Sequence, residues 1–397
     1  MHIKLTRTFH PVGQGAFYSE RFTTTDGKEF NVVYDCGTLS GSNSIEKIIK
    51  NNFKGKEIDI LFISHFDSDH VNGIKLLKDN AEKIKTVILP LLDKQQKILL
   101  TRIYKFLEGE DGYTANLIDN PEDFFGNDTK IIKIKQVTEE EGTSDPIKNW
   151  NDLEKSEELH SGTIIQLPTE FAGQYFWQYQ PYNYKFPERN RQLAEALAQS
   201  EISEQDLQNP DYIKHPANQK KIKKLYNSPA IEGTINENSM LVYSNTPRLN
   251  CINCHDESHS KIYPPLPLCR LGYLCRLRHL YYKNLKESYR QKNRMGCIYT
   301  GDANLIKIIK NKLFKKITPN RVGTIQVAHH GSHKNFDIAF FNNSGTNLFC
   351  PISFGSNNTY GHPSGNVLNN LIVHGHLPIF IDEFEESSFS QVFYFCC

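Results

Sequence analysis

A chain of 397 residues with 38% hydrophobic and 11% aromatic content can bury a substantial core, as one large domain with insertions or as two domains. Lysine plus arginine, 46, nearly balance aspartate plus glutamate, 45, so any affinity for a polyanion must come from where charge is placed rather than from its total. No stretch approaches the ~18 apolar residues of a membrane span, residues Met1 to Arg7 lack the apolar core of a signal peptide, and nine scattered cysteines, an odd number, fit reduced thiols; the reading is a cytoplasmic protein with no membrane partner and no disulfide framework.

Residues 2 to 35 read as a strand meander: Ile3 to Phe9, Ala16 to Phe22, an Asp26-Gly27 hairpin signal, and Phe30 to Tyr34, closed by Asp35-Cys36-Gly37-Thr38. A short helix carrying Ile45, Ile48 and Ile49 precedes a strand over Ile58 to Ile63, and a second helix carries Ile74, Leu76 and Leu77. A strand from Thr86 to Leu89 stops at Pro90, and Leu99 to Leu107 is expected to be helical. Residues 139 to 158 hold eight acidic side chains against Lys148 and Lys155 and are expected to be a solvated loop. Strands are expected at Thr163 to Leu167 and Gln174 to Gln180, then a charged helical insertion over 187–235, in which Ser203 and Asp206 resemble a capping box. Ser239 to Tyr243 and Cys297 to Thr300 read as two core strands separated by a basic insertion over 246–296, too long for a hairpin loop. The pattern then alternates: helix Leu305 to Phe314, strand Thr324 to Ala328, strand Phe349 to Phe354, helix Asn366 to Val373, strand Ile379 to Asp382, and a last strand ending at Phe395. That last strand makes the terminal Cys396-Cys397 a structural end rather than a lipidation signal.

Chemistry concentrates after the strand at Ile58. His65, Asp67, Asp69 and His70 fall within six residues. On extended backbone His65, Asp67 and Asp69 share a face, with His70 joining as the chain turns into a helix. Ionised carboxylates so close need a cation or a shared proton. The alternative is a polar strand-to-helix loop with Asp69 as N-cap, but a cap needs one such residue and this stretch supplies four. Three later stretches repeat the design at strand ends: Gly301-Asp302, His329-His330-Gly331-Ser332-His333, and Tyr360-Gly361-His362-Pro363. Two divalent ions about 3.5 to 4 Å apart need roughly six to eight protein ligands, and His65, Asp67, Asp69, His70, Asp302, His330 and His362 supply that number.

The order Asp35-Cys36-Gly37, His65-x-Asp67-x-Asp69-His70, Gly301-Asp302 and a later histidine resembles the metallo-β-lactamase fold superfamily. More narrowly, Val12-Gly13-Gln14-Gly15, Tyr34 to Gly37, Ser64 to His70, Asn238-Ser239, Thr300 to Ala303, His329 to Ser332 and Tyr360 to Pro363 are similar to the soluble hydrolase domain of bacterial competence DNA-uptake channels of the ComEC type. The chain departs from those proteins in having no transmembrane channel and in its long insertions. The resemblance implies an α/β (α+β) fold, a four-layer αββα sandwich over 1–397 with the helical and basic insertions, and a site at one edge of the two sheets. It implies that His65 and Asp67 hold a first metal with His329 or His330, that Asp69, His70 and His362 hold a second, that Asp302 bridges, and that Asp35 orients the cluster from behind. Spacing leaves open which of His329 and His330 ligates. Asp67 stands where most of the superfamily has histidine, and the added oxygen ligand makes manganese as credible as zinc. The superfamily's middle histidine has His160 as its one candidate, which reads instead as part of a turn into a strand.

The metals would lower the pKa of a bound water and stabilise charge on the attacked oxygens, with Asp69 or Asp302 orienting the nucleophile. For the substrate, residues 261 to 294 hold nine basic residues against Glu287 alone, with Tyr273, Tyr281, Tyr282 and Tyr289 interleaved. That mixture suits single-stranded nucleic acid, DNA or RNA, with Arg276, Arg278, Lys283, Lys286 and Arg290 as contacts. A solvated helix face is the plain alternative. Cys251 and Cys254, followed by Cys269 and Cys275, are the candidates for an extra structural zinc, with buried free thiols as the alternative. The expected function is a nuclease or phosphodiesterase, against a small-molecule hydrolase of a lactone, thioester or cyclic nucleotide, or a non-catalytic nucleic-acid-binding module.

Overall fold

The computed structural model describes residues 2–108, 112–137, 146–168, 175–184, 239–247, 294–308 and 319–396, with residues 199, 212, 215, 217, 218, 280, 281, 283, 284 and 317 between them. Ser203, Cys251, Cys254, Cys269, Cys275, Arg276, Arg278, Lys286 and Arg290, and most of 187–235 and 246–296, lie outside the described residues.

The first sheet begins with the meander β1 (His2–Phe9), β2 (Phe17–Thr24) and β3 (Glu29–Cys36). Alternation drives it. Ile3, Leu5, Arg7 and Phe9 are buried on one face of β1 while Lys4, Thr6 and Thr8 stay more exposed on the other, as in an antiparallel sheet with one wet face. The chain then switches to parallel pairing through β4 (Glu57–Phe62), β5 (Lys83–Pro90), β6 (Lys130–Ile134) and β9 (Ser156–Leu159), with β7 (Gln136–Val137) and β8 (Ile147–Asn149) between the last two in sequence. Every residue of β4 after Glu57 is buried, as expected of a parallel strand covered on both sides. Including β17 (Phe389–Cys396), the order among the described residues is β17-β1-β2-β3-β4-β5-β6-β9.

The second sheet adds β10 (Ile164–Gln166), β11 (Gln178–Tyr184), β12 (Leu241–Asn245), β13 (Gly296–Tyr299), β14 (Val322–Ile325), β15 (Phe349–Ser353) and β16 (Leu377–Ile381), in the order β16-β15-β14-β13-β12-β11-β10-β8. Strands β13 to β16 are mutually parallel. The sheets face each other across an aromatic core that includes Phe9, Tyr18, Tyr34, Phe62, Trp177, Tyr179, Tyr243 and Tyr299. Within that core Arg7 donates to Glu20 at 2.7 Å, and Tyr179, Tyr299 and Ser244 also donate to the Glu20 carboxylate.

Helices form the outer layers. On the first sheet α1 (Ser42–Asn52), α2 (Ser68–Val71), α3 (Ile74–Asn80), α4 (Lys94–Glu108), α5 (Tyr113–Asp119) and α6 (Pro121–Phe125) place Ile45, Ile49, Leu77, Leu100 and Leu117 against Val33, Leu61, Val87 and Ile131. On the second, α7 (Leu305–Ile308), α8 (Ile338–Ser344) and α9 (Gly365–Val373) bury Leu305, Phe340, Phe341, Val367 and Leu368. The result is the αββα sandwich that the resemblance implied.

Three expectations need correction. The acidic stretch 139–158 is not simply a loop: its second half forms β8 and the edge strand β9, where Lys148 pairs with Glu157 and Lys135 with Glu158 at 3.4 Å. Charged residues on a short edge strand also discourage further pairing. The strand foreseen over 174–180 starts at Gln178 and runs on through Pro181 to Tyr184. Proline is tolerated there because β10 has already ended, and the Gly162 N–H reaches the Pro181 carbonyl instead of a ladder partner. Finally, Asp69 is not on extended backbone: helix α2 starts at Ser68, with Asp67 at its N-cap position.

Candidate metal centre

The parallel strands of both sheets direct their C-terminal ends to one edge of the sandwich, and the ligand-type residues collect there. Asp35, at the end of β3, has φ 55°, a left-handed conformation that costs of order 1 kcal/mol or more for a side chain other than glycine. It places a fully buried carboxylate behind the next strand. Asp35 Oδ1 accepts the Ser64 N–H at 2.7 Å, and Oδ2 accepts Ser64 Oγ at 2.6 Å and His70 Nδ1 at 2.8 Å. Helix α2 is pressed onto the same turn. A side chain on Gly37 would stand 2.5 to 2.6 Å from the backbone of Asp69 and His70, and the Ala16 N–H donates to the Asp69 carbonyl at 3.0 Å. That contact explains the glycine after Asp35-Cys36.

From the second sheet, Asp302 follows β13 through a tight turn at Gly301, whose φ is 53° and whose α-carbon faces Ser64 and Ser239 too closely for a side chain. Gln326 clamps this turn: its Oε1 accepts the Thr300 and Gly301 N–H groups at 2.7 and 2.8 Å, and its Nε2 donates to the Gly301 carbonyl at 3.1 Å. The Asp302 N–H donates to Ser239 Oγ at 3.0 Å, and Asn335 donates to the Asp302 carbonyl at 3.0 Å. His329 and His330 follow with φ 49° and 53°, two successive strained residues.

Four imidazoles are held alike. His70 Nδ1 donates to Asp35 and His330 Nδ1 to the Ser353 carbonyl at 2.9 Å. His329 Nδ1 donates to Asn335 Oδ1 at 3.0 Å, the amide's other end being committed to Asp302. His65 Nδ1 lies 2.9 Å from Ser64 Oγ, whose own proton goes to Asp35, and 3.0 Å from Ser239 Oγ. In each ring the proton on Nδ1 leaves the Nε2 lone pair for the centre, the tautomer a metal ligand needs. His70 Nε2 faces Asp302 Oδ1 at 3.2 Å, His330 Nε2 faces Asp69 Oδ2 at 3.0 Å, and His329 and His65 Nε2 stand 3.7 and 3.9 Å from Asp302 Oδ2.

Two groups have donor atoms close enough to hold an ion: His65, His70 and Asp302, and Asp69, His70 and His330, each within 4.8 Å. This differs from the arrangement the resemblance implied. His65 meets His70 and Asp302 rather than Asp67, and neither Asp67 nor His362 belongs to either group. Half-buried Asp67 accepts from Tyr104 at 3.4 Å, while the His362 ring lies 6.0 Å from that of His329, one layer out. His160 is exposed.

The charges are mutually compensating. Burial and the neighbouring His70 push His65 down to about 3, so it is a neutral donor, and its buried Nε2 has no hydrogen-bond partner among the described residues. Burial opposes charge at the other positions, but Asp302 and Asp35 overcome it to raise His70 well above the ordinary histidine range. Equally, His329 and His70 hold Asp302 well below the carboxylate range, whereas burial leaves Asp35 raised. Imidazoles oriented through Nδ1, buried carboxylates and the orphaned Nε2 of neutral His65 fit a divalent cation, which would take the place of the second proton that the carboxylates hold on His70.

Sequence reasoning gave no role to Ser64, Ser239, Gln326 or Asn335. Ser64 and Ser239 stood inside recognisable motifs, so their positions were visible; Gln326 and Asn335 act on backbone groups and carry no spacing signal.

The two insertions are rooted at opposite ends of the second sheet. β11 ends and β12 begins at the metal edge, whereas β12 leaves and β13 returns at the far edge, through the pairs Ser244↔Cys297 and Val242↔Tyr299. Within the second insertion, Asn284 donates to the Ile372 and His376 carbonyls, at the end of α9 and just before β16, and Lys283 beside it is exposed. Lys283 therefore sits toward the edge of the second sheet opposite Asp302.

Residues 25–146, which include Asp35, His65, Asp67, Asp69 and His70, match the family model described as Metallo-beta-lactamase superfamily. Among solved structures the chain is similar to a long form RNase Z from yeast at 12% identity and a TM-score of 0.36, over 99% of this chain and 42% of that one. It thus spans less than half the length of that protein. No curated protein matches the chain.

Proposed function

We propose that this protein is a metal-dependent hydrolase that cleaves phosphodiester bonds of DNA or RNA at a centre of two divalent ions, zinc or manganese. The observation that carries the reading is the convergence of four Nε2 atoms, each ring fixed through Nδ1, on the carboxylates of Asp69 and Asp302. His65, His70 and Asp302 would hold one ion, and Asp69 and His330 the other, with His70 between the groups and Asp67, His329 and His362 beside them. Divalent ions there would supply charge stabilisation at the attacked phosphorus and acidify a coordinated water. Asp35, Ser64, Ser239 and Gln326 keep the ligands oriented, and Asp69, partly open to solvent, is placed to orient a nucleophile and hold its proton.

The basic, tyrosine-bearing run 261–294 and the likeness of the motifs to ComEC-type hydrolase domains support a polynucleotide substrate. A small-molecule hydrolase is the second reading, favoured by one observation: Lys283 and the roots of that run lie at the edge opposite the centre. Purified protein is to be incubated with single- and double-stranded DNA and RNA, with manganese or zinc, and with EDTA as control. Cleavage should require metal and vanish in Asp69→Ala. No cleavage with any metal, while wild type and Asp69→Ala bind nucleic acid equally, would overturn the reading.

A further inference from the structure

The loop after β15 puts an aromatic ring at the mouth of the centre. Tyr360 is 66% exposed, and its ring lies parallel to that of His362, 16° between planes and 6.2 Å between centroids. His362 in turn contacts His329, whose Nε2 faces Asp302. The loop is held in shape from within: the Asn358 amide donates to the Gly355 and His362 carbonyls at 2.6 and 2.7 Å, and its Oδ1 accepts the His362 N–H at 3.2 Å. Tyr360 is therefore an exposed apolar face on a fixed support, with little ordering left to lose when something stacks on it.

Charge around the rim has two signs. Exposed His333 and Lys334 follow the His329-His330 turn, His333 near enough to influence the His362 ring, while Glu383 accepts from Ser356 at the start of the Tyr360 loop and Glu385 pairs with Lys47. Lys334, four residues after His330, would attract a polyanion approaching the centre. A basic residue together with a stacking ring around one site is the combination used to hold single strands without regard to sequence.

We propose that Tyr360 is a base-stacking platform, receiving the nucleobase next to the scissile phosphate of a single strand while Lys334 takes a flanking phosphate. The assignment rests on the phosphodiester reading above and narrows it to single-stranded substrates. Its test is fluorescence anisotropy in EDTA, with a labelled DNA oligonucleotide and an equally long strand of abasic sugar-phosphates, together with KM and kcat for the intact strand in manganese. Tyr360→Ala should weaken binding of the intact strand about five- to a hundredfold, raise KM without lowering kcat, and leave the abasic strand unaffected; Tyr360→Phe should behave as wild type. Lys334→Ala should weaken both strands alike. Equal binding of the intact strand by Tyr360→Ala and wild type, or an equal loss on both strands, would overturn the proposal even if cleavage is normal. A wild type that cleaves nothing but still shows the Tyr360 difference would instead overturn the hydrolytic reading and leave the platform standing.

Discussion

Replacing Asp35 with asparagine keeps its shape and inverts its chemistry. The aspartate accepts three hydrogen bonds, from the Ser64 N–H, Ser64 Oγ and His70 Nδ1. An asparagine can keep its oxygen on the Ser64 N–H, but its NH₂ then faces His70 Nδ1 and Ser64 Oγ, both donors until then. His70 must take the other tautomer, with its proton on Nε2 toward Asp302. Ser64 Oγ, turned into an acceptor from the amide, is free to donate to His65 Nδ1, which moves the His65 proton to Nε2 as well. Two imidazoles would then present protons where an ion needs lone pairs. Partners of this kind are worth about 10- to 100-fold in metal affinity, and two rings affected together place Asp35→Asn at or above the upper end. The stability cost should be smaller, about 1 to 3 kcal/mol, because no buried donor is left wholly unpaired. Asp35→Ala, which orphans all three donors, should cost more stability. Isothermal titration with manganese or zinc, alongside urea denaturation of the metal-free protein, separates the two effects. A manganese or zinc dissociation constant for Asp35→Asn within twofold of wild type would refute the tautomer argument.

Gly37→Ala should displace α2 from the β3 turn, since the added carbon meets the Asp69 and His70 backbone at 2.5 to 2.6 Å; about 1–3 kcal/mol is expected from overpacking, and native fluorescence with metal titration should show weakened binding even where the fold survives. Arg7→Ala leaves Glu20 buried without its cation and should cost about 3–5 kcal/mol in urea denaturation, with Arg7→Ala/Glu20→Gln recovering part of the loss. Acid should unfold the protein partly through buried histidines outside the centre. Burial and then Arg21 lower His10 to about 3, and burial and then His374 lower His376 to about 4, against an ordinary 6.5. A folded-state pKa below the unfolded one means that the unfolded chain binds more protons, so stability is full above 6.5 and falls as pH drops toward 4, by up to about 1.4 kcal/mol per pH unit for each ring. His376→Asn should flatten the measured slope between pH 6.5 and 4; an unchanged slope would contradict the assignment.

The architecture was legible wherever periodicity and burial agreed. The meander, the apolar strand from Ile58 and the alternation after Val322 appear close to their expected places, because alternating and continuously apolar runs both advertise strands, while the helix expected over Leu305 to Phe314 lies outside the described residues after Ile308. The acidic strand β9 did not, since its residues pair along an edge and Lys148 and Lys135 answer its charges from neighbouring segments. At the centre, the residue types were readable and their partnerships were not. Extended alternation would have put Asp67 and Asp69 side by side; the early start of α2 separates them and brings His70 inward to meet His65 and Asp302. Asp67 therefore stands beside the two donor groups rather than within either. Nor could sequence proximity tell that the basic run following β12 departs from the edge opposite His70 and Asp302.

That departure makes the run separable. Since β12 and β13 are antiparallel neighbours paired as far as Ser244↔Cys297, a turn of a few residues could join Thr246 directly to Arg294. Arg294 and Met295 would stay, because Arg294 donates to the Thr346 carbonyl and the Met295 carbonyl accepts from Arg7, and the shortened chain would give up the Asn284 bonds to the α9 end, the core-buried Tyr281 ring and its bond to the Pro378 carbonyl. In such a miniaturised protein the chemistry at the opposite edge could be assayed free of the polycationic segment, which turns an arrangement of loops into a modular cut point.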